Sequence, residues 1–161
     1  MQTFTLLPMG LPARVYRSTM PFSQHYDPDG EVYQAYHDHQ VTAIVMLTSD
    51  QEARENTGRD LRARYLEDGF QLIHLPIEDF SVPDPDQLQT AVEEAARQLQ
   101  AGSNLAIHCH AGLGRTGMFA ACLARKMLGM TAAEATAWVR ENIPDAVEND
   151  MQALMVENFQ P

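Results

Sequence analysis

Apolar and polar positions along the chain fall into short runs with two different periods. Phe4–Leu7 and Val15–Ser18 read as short strands around a proline-rich turn at residues 8–12. Residues 30–37 suggest a short helix. Residues 41–48 form a continuous apolar run, as expected of a strand buried on both faces. Residues 60–67 are helical and end at Gly69, and residues 70–75 make the next strand. Asp84 is a typical N-cap and Pro85 fits the first helical position, so a helix opens there. It runs to about residue 100 and stops at Gly102. Residues 104–107 read as another buried strand, and residues 118–128 as an apolar helical pattern. Thr131-Ala132-Ala133-Glu134 is a capping box that starts a helix toward Asn142. Pro144 breaks it, and a last helix covers about 149–158.

Strands and helices alternate, and the buried strands lack the polar alternation of a one-sided sheet. The pattern predicts an α/β fold with a mainly parallel central sheet of four to five strands flanked by helices. The 161 residues suit a single domain, 1–161, with one core. No internal repeat, low-complexity tract or linker marks a boundary inside it.

Charge narrows the function. The formal net charge is −11, which argues against a nucleic-acid partner or an anionic membrane surface. Arg54, Arg59, Arg62 and Arg64 form the only basic cluster, and acidic residues interleave with them. That cluster reads as a solvated helix face, with a rim attracting acidic phosphopeptides as the sharper alternative. No apolar stretch has the length of a membrane span, and the first residues show no secretory signal. The two cysteines, Cys109 and Cys122, make no disulfide framework. A thiol nucleophile needs a reducing compartment, so a cytoplasmic location is expected.

The chemistry concentrates in His108-Cys109-His110-Ala111-Gly112-Leu113-Gly114-Arg115-Thr116-Gly117. A thiol stands where a strand ends, a short loop follows, and a helix begins. The first turn of a helix offers unpaired N–H groups and the positive end of its dipole. A loop wrapped around that point aims several N–H donors at one anion. Gly112 and Gly114 are expected to let the loop curl through angles that side chains forbid. Arg115 adds a planar fork for two phosphate oxygens. The same field favours ionised sulfur at Cys109. Nucleophile and oxyanion cradle thus share one segment.

This H-C-x5-R-[ST] pattern resembles the signature of the protein tyrosine phosphatase superfamily, in its small dual-specificity form. The resemblance runs from about Val15 to Asn158. It implies a cysteine-dependent phosphatase that hydrolyses phosphotyrosine through a cysteinyl-phosphate, with phosphoserine and phosphothreonine left open as further substrates. Cys109 is then the nucleophile. Arg115 and the backbone of His110, Ala111, Gly112, Leu113 and Gly114 hold the phosphoryl group. Thr116 hydrogen-bonds the sulfur and eases its departure. His108 braces the loop through a charged or donating imidazole. In such enzymes a loop upstream of the cysteine carries an acidic proton donor. Asp79 best matches that position, with Glu78, Asp84 and Asp86 as rivals and Asp84 better explained as a helix cap. A polar residue near the last helix places the attacking water in some relatives. Glu148 and Gln152 are the candidates, with exposed helix residues as the plainer reading.

The resemblance implies no cofactor and no metal. The partner is a phosphorylated protein or peptide, met by a monomer. Two other readings stay open: a phosphatase for a phosphoinositide or an RNA 5′ phosphate, and a phosphate-binding pseudophosphatase. The lysine-free loop and acidic chain weigh against the first. The presence of both Cys109 and Arg115 weighs against the second. Cys122, Trp138 and the nine methionines read as core packing.

Overall fold

The computed structural model describes residues Met1–Pro161. Its elements in chain order are β1 (Phe4–Leu7), β2 (Val15–Ser18), α1 (Glu31–Asp38), β3 (Val41–Met46), α2 (Asp50–Thr57) and α3 (Leu61–Glu67). Then come β4 (Gln71–His74), α4 (Pro85–Gln100), β5 (Asn104–His108), α5 (Gly114–Leu128), α6 (Ala132–Asn142) and α7 (Asp150–Asn158). The five strands make one sheet in the order β1-β2-β5-β3-β4. Only β1 runs antiparallel to its neighbour; the other pairings are parallel. The expected α/β architecture is therefore the one observed.

Both faces of the sheet are covered, which explains the unbroken apolar runs. Along β3, Ala43 and Val45 face one core while Ile44 and Met46 face the other. Along β5, Leu105 and Ile107 take the first core and Ala106 the second. The larger core is closed by α4, α5, α6 and α7, and the smaller by α1, α2 and α3. The turn chemistry acts as its residues dictate. Asp84 accepts from the N–H groups of Asp86 and Gln87 with Pro85 beside them, and Thr131 and Glu134 form the full capping box.

Three expectations need correction. Helix α2 is missing from the sequence reading, because Asp50-Gln51-Glu52-Ala53-Arg54-Glu55-Asn56-Thr57 shows almost no apolar period. Its signals are its ends: Ser49 accepts from the Glu52 N–H at 3.0 Å, and Gly58 closes it at φ 69°. Helix α5 begins at Gly114, four residues before its apolar pattern starts at Met118. Its first turn belongs to the polar loop, so hydrophobic periodicity could not see it. The arginine cluster spans two helices and a turn rather than one helix face. Arg62 pairs with Asp50 at 2.6 Å, Arg64 with Asp68 at 2.8 Å, and Arg59 stacks on Phe22 at 4.2 Å.

Candidate functional site

The central strand β5 ends at His108, so Cys109 leaves the sheet at its carboxyl edge, where parallel sheets place ligands. The chain then curls and enters α5. Gly112 has φ +75°, and a Cβ there would strike the Ser18 carbonyl and the Arg17 guanidinium. Gly114 is glycine for a different reason than expected. Its φ is not positive; a side chain there would collide with the Glu148 carboxylate. The N-cap of α5, Leu113, offers no side-chain cap, whereas α2, α3, α4, α6 and α7 all have one. The first N–H groups of α5 are therefore open toward the loop's interior. The Cys109 sulfur lies among donors: the Gly112 N–H at 3.3 Å and the Thr116 hydroxyl at 3.1 Å.

Arg115 is buried, with 2% of its side chain exposed. Its Nη1 donates to Glu52 Oε1 at 2.8 Å and to the Ile77 carbonyl at 2.8 Å. Its Nη2 donates to Glu52 Oε2 at 2.9 Å and lies 3.2 Å from Asp79 Oδ1. Burial alone would lower its pKa, but the Glu52 carboxylate, Cys109 and Asp79 more than offset that and hold it raised. Nε has no partner in the protein, so Nε and Nη2 form the edge left for a ligand. Glu52 was absent from the sequence reading. The Ser49-to-Glu52 spacing reads as a capping box, yet the carboxylate turns to Arg115 instead of its own helix end.

His108 is fully buried between two partners. One ring nitrogen, Nδ1, meets the Cys109 carbonyl at 2.9 Å, and Nε2 meets the Tyr65 hydroxyl at 2.9 Å. Burial pushes its pKa down to about 4, with the Arg115 charge adding to that. The imidazole is thus neutral at physiological pH, which removes the charged version of the bracing role. A neutral ring that donates from Nδ1 to the Cys109 carbonyl and accepts at Nε2 from the Tyr65 hydroxyl satisfies both contacts. His110 lines the pocket, reaches Ser23 Oγ at 3.1 Å and meets the Tyr26 ring edge-on.

The acidic candidates separate clearly. Asp79 lines the Cys109 pocket, is half exposed, and also accepts from the Phe80 N–H at 3.0 Å. Glu78 faces a neighbouring groove, Asp84 caps α4, and Asp86 lies in that helix's first turn. Glu148 is exposed at the pocket wall, just ahead of α7 rather than within it. Its pKa is raised, first by partial burial and then by the Asp79 charge. Gln152 is fully buried and does not line the pocket. Its Oε1 accepts from the Glu148 N–H at 3.0 Å, and its Nε2 approaches the Ser81 carbonyl at 3.5 Å. Neither residue is an exposed helix position in the plain sense. Cys122 sits in the core, where burial pushes its thiol up to about 12.

Comparison with known proteins places this geometry. The sequence model of the family described as "Polymorphic toxin system, DSP-PTPase phosphatase" matches residues 19–127, a stretch that contains the whole cysteine loop. The chain is 32% identical over 135 residues to the Homo sapiens dual specificity protein phosphatase CDC14C, covering 83% of this chain and 28% of that protein. It is 27% identical over 154 residues to the Caenorhabditis elegans tyrosine-protein phosphatase cdc-14, covering 91% of this chain and 20% of that protein. The chain spans less than a third of the length of these curated relatives. The crystal structure of Tk-PTP in the active form superposes with a TM-score of 0.78 at 26% identity, covering 95% of this chain and 94% of that one. No helix is long and apolar enough to cross a membrane.

Proposed function

The chain belongs to this dual-specificity phosphatase family of the protein tyrosine phosphatase superfamily, and from that premise we propose that it hydrolyses phosphate monoesters on proteins or peptides through a cysteinyl-phosphate. The observation that carries the reading is the Cys109 sulfur lying in the loop that opens onto the uncapped N-terminus of α5, in a pocket that Arg115 lines. The phosphoryl oxygens take the open N–H groups and the Nε–Nη2 edge of Arg115. The sulfur attacks phosphorus as the ester P–O bond breaks, and the departing oxygen takes a proton from Asp79. Asp79 rests against Arg115 in the free protein, so the arriving phosphoryl group displaces it toward the leaving oxygen. Water then attacks the cysteinyl-phosphate, with Glu148 positioned to take its proton and Thr116 donating to the departing sulfur. Gln152 supports Glu148 through the backbone and does not meet the water.

Tyr26 and the exposed Phe80 stand at the mouth and offer apolar faces to an aryl ring. Phosphotyrosine is therefore the preferred substrate. A reducing compartment such as the cytosol would keep Cys109 reduced. The test is turnover in EDTA on phosphotyrosine, phosphoserine and phosphothreonine peptides, a phosphoinositide and a 5′-triphosphorylated RNA. Metal-independent release of phosphate, fastest from phosphotyrosine peptides, is expected. Phosphate release only from the lipid or RNA, or none from any ester, overturns the reading.

A further inference from the structure

A second arginine reaches the cysteine loop from behind. Arg17 lies on β2, which pairs with β5 so that Arg17 stands opposite Ile107. Its side chain is buried, with 2% exposure. No carboxylate pairs with it: every partner is a backbone carbonyl. Nε donates to the Gly112 carbonyl at 3.1 Å. Nη2 donates to the carbonyls of Gly112 at 3.0 Å and Ala111 at 3.2 Å, and Nη1 to that of Gln2.

Resting on the phosphatase reading above, we infer that Arg17 is a positioning residue that holds the two central peptides of the loop with their N–H groups turned toward the phosphoryl site. In a trans peptide the C=O and N–H point in opposite directions and the unit is planar. Gripping the Ala111 oxygen therefore fixes the direction of the Gly112 N–H, which does point at the Cys109 sulfur. Gripping the Gly112 oxygen fixes the Leu113 N–H in the same way. The left-handed φ of Gly112 is the bend that brings both oxygens to one guanidinium.

The charge has a second consequence. A buried cation without an acidic partner is costly unless something anionic offsets it. Burial lowers the Arg17 pKa, and the acidic groups that oppose this are Cys109 first and then Tyr36. An oxyanion seated in the loop supplies that counter-charge from the other side. Arg115 grips the substrate, whereas Arg17 aligns the donors without touching it.

The experiment measures vanadate and inorganic phosphate affinity, kcat and KM for the wild type, Arg17→Met and Arg17→Lys, with unfolding curves for each. Vanadate mimics the five-coordinate phosphoryl group and depends most on aligned donors. Arg17→Met is expected to lose about 10²-fold in vanadate affinity, the usual worth of an oxyanion donor. It should lose clearly less for phosphate, and kcat should fall more than KM rises. Arg17→Lys should recover part of the loss. A folded Arg17→Met that keeps vanadate affinity and kcat within about twofold of the wild type overturns the inference. Should the variants fail to fold, the wild-type Arg17 Nε–H resonance decides. A shift of that signal on adding vanadate supports the coupling, and its absence overturns it. A wild type that binds neither anion refutes the phosphatase reading itself, separately from the role of Arg17.

Discussion

Replacing Glu52 by glutamine tests whether the helix hidden from hydrophobic periodicity organises the pocket. Arg115 is nearly enclosed, and Glu52 meets both of its terminal nitrogens, at 2.8 and 2.9 Å. Glutamine keeps the shape but removes the charge, and turns one N–H₂ against the guanidinium. Removing one partner of a buried ion pair commonly costs about 3–5 kcal/mol. Here Asp79 remains 3.2 Å away and the Ile77 carbonyl stays in place, while the Glu52 side chain is 20% exposed. The loss should therefore fall below that range, at about 2–3 kcal/mol. For a chain of this size that lowers Tm by roughly 5–10 °C. Activity should fall further than stability suggests, because the Nε–Nη2 edge loses its fixed direction. A misplacement of about 1 Å can cost on the order of 10²-fold in rate. The assay is kcat/KM on an aryl phosphate beside thermal unfolding, with Glu52→Asp as a charge-preserving control. If Glu52→Gln retains kcat/KM within about twofold and an unchanged Tm, the pair does not organise Arg115, and the reasoning fails.

Three further outcomes follow from the same geometry. Cys109→Ser should abolish turnover while keeping the fold and measurable vanadate binding; near-normal hydrolysis would remove Cys109 from its role. Asp79→Asn should cost about 10²–10⁴-fold for alkyl phosphates, less for activated aryl phosphates, and flatten the alkaline limb of the pH profile. An unchanged profile, with a change in Glu148→Gln instead, would move the acid across the pocket. His108 has its pKa lowered to about 4 from an ordinary value near 6.5. The folded state therefore favours the neutral ring: its stabilisation is complete above about pH 6.5 and is lost as pH falls toward about 4. The loss amounts to about 3 kcal/mol, and denaturant unfolding of His108→Asn should show a correspondingly shallower pH slope than the wild type. Equal slopes would show that His108 does not titrate with unfolding.

What was legible in the sequence is what lies together along the chain. Strand β5, Cys109, the loop, Arg115 and Thr116 are contiguous, so their spacing alone predicted a nucleophile beside an anion cradle. Asp79 was singled out through the family resemblance, and its loop after β4 does bring it to the wall of the Cys109 pocket. Glu52, Arg17 and Tyr65 were not, because parallel crossovers bring them in from other elements. Each still left a local trace. Glu52 stands three residues after Ser49, an N-cap signal with no apolar run behind it. Arg17 interrupts a strand whose other three residues are all buried, and a charge in such a place requires partners. Tyr65 gave the weakest trace, since a buried aromatic on α3 is ordinary and only its hydroxyl's reach to His108 distinguishes it.

The charge balance of the pocket bears on how the proposed reaction ends. Three carboxylates, Glu52, Asp79 and Glu148, crowd around Arg115, and the whole chain carries −11. Long-range attraction therefore contributes little to substrate capture. What draws a phosphoryl group is short-range: open N–H groups, and an Arg115 edge partly occupied by Asp79 until the ligand arrives. Free phosphate, the product, competes with Asp79 for that edge and faces Glu148 across it. In the proposed reaction its binding is weakened by the same carboxylates to which the proton transfers are assigned. Interactions realised fully only when charge spreads over the transferring phosphoryl group raise kcat, whereas tight ground-state binding does not. The Glu148 carboxylate, tied through its backbone to buried Gln152, thus serves two ends. In the proposed reaction it takes the proton of the attacking water, and after releasing that proton its negative charge opposes the phosphate product.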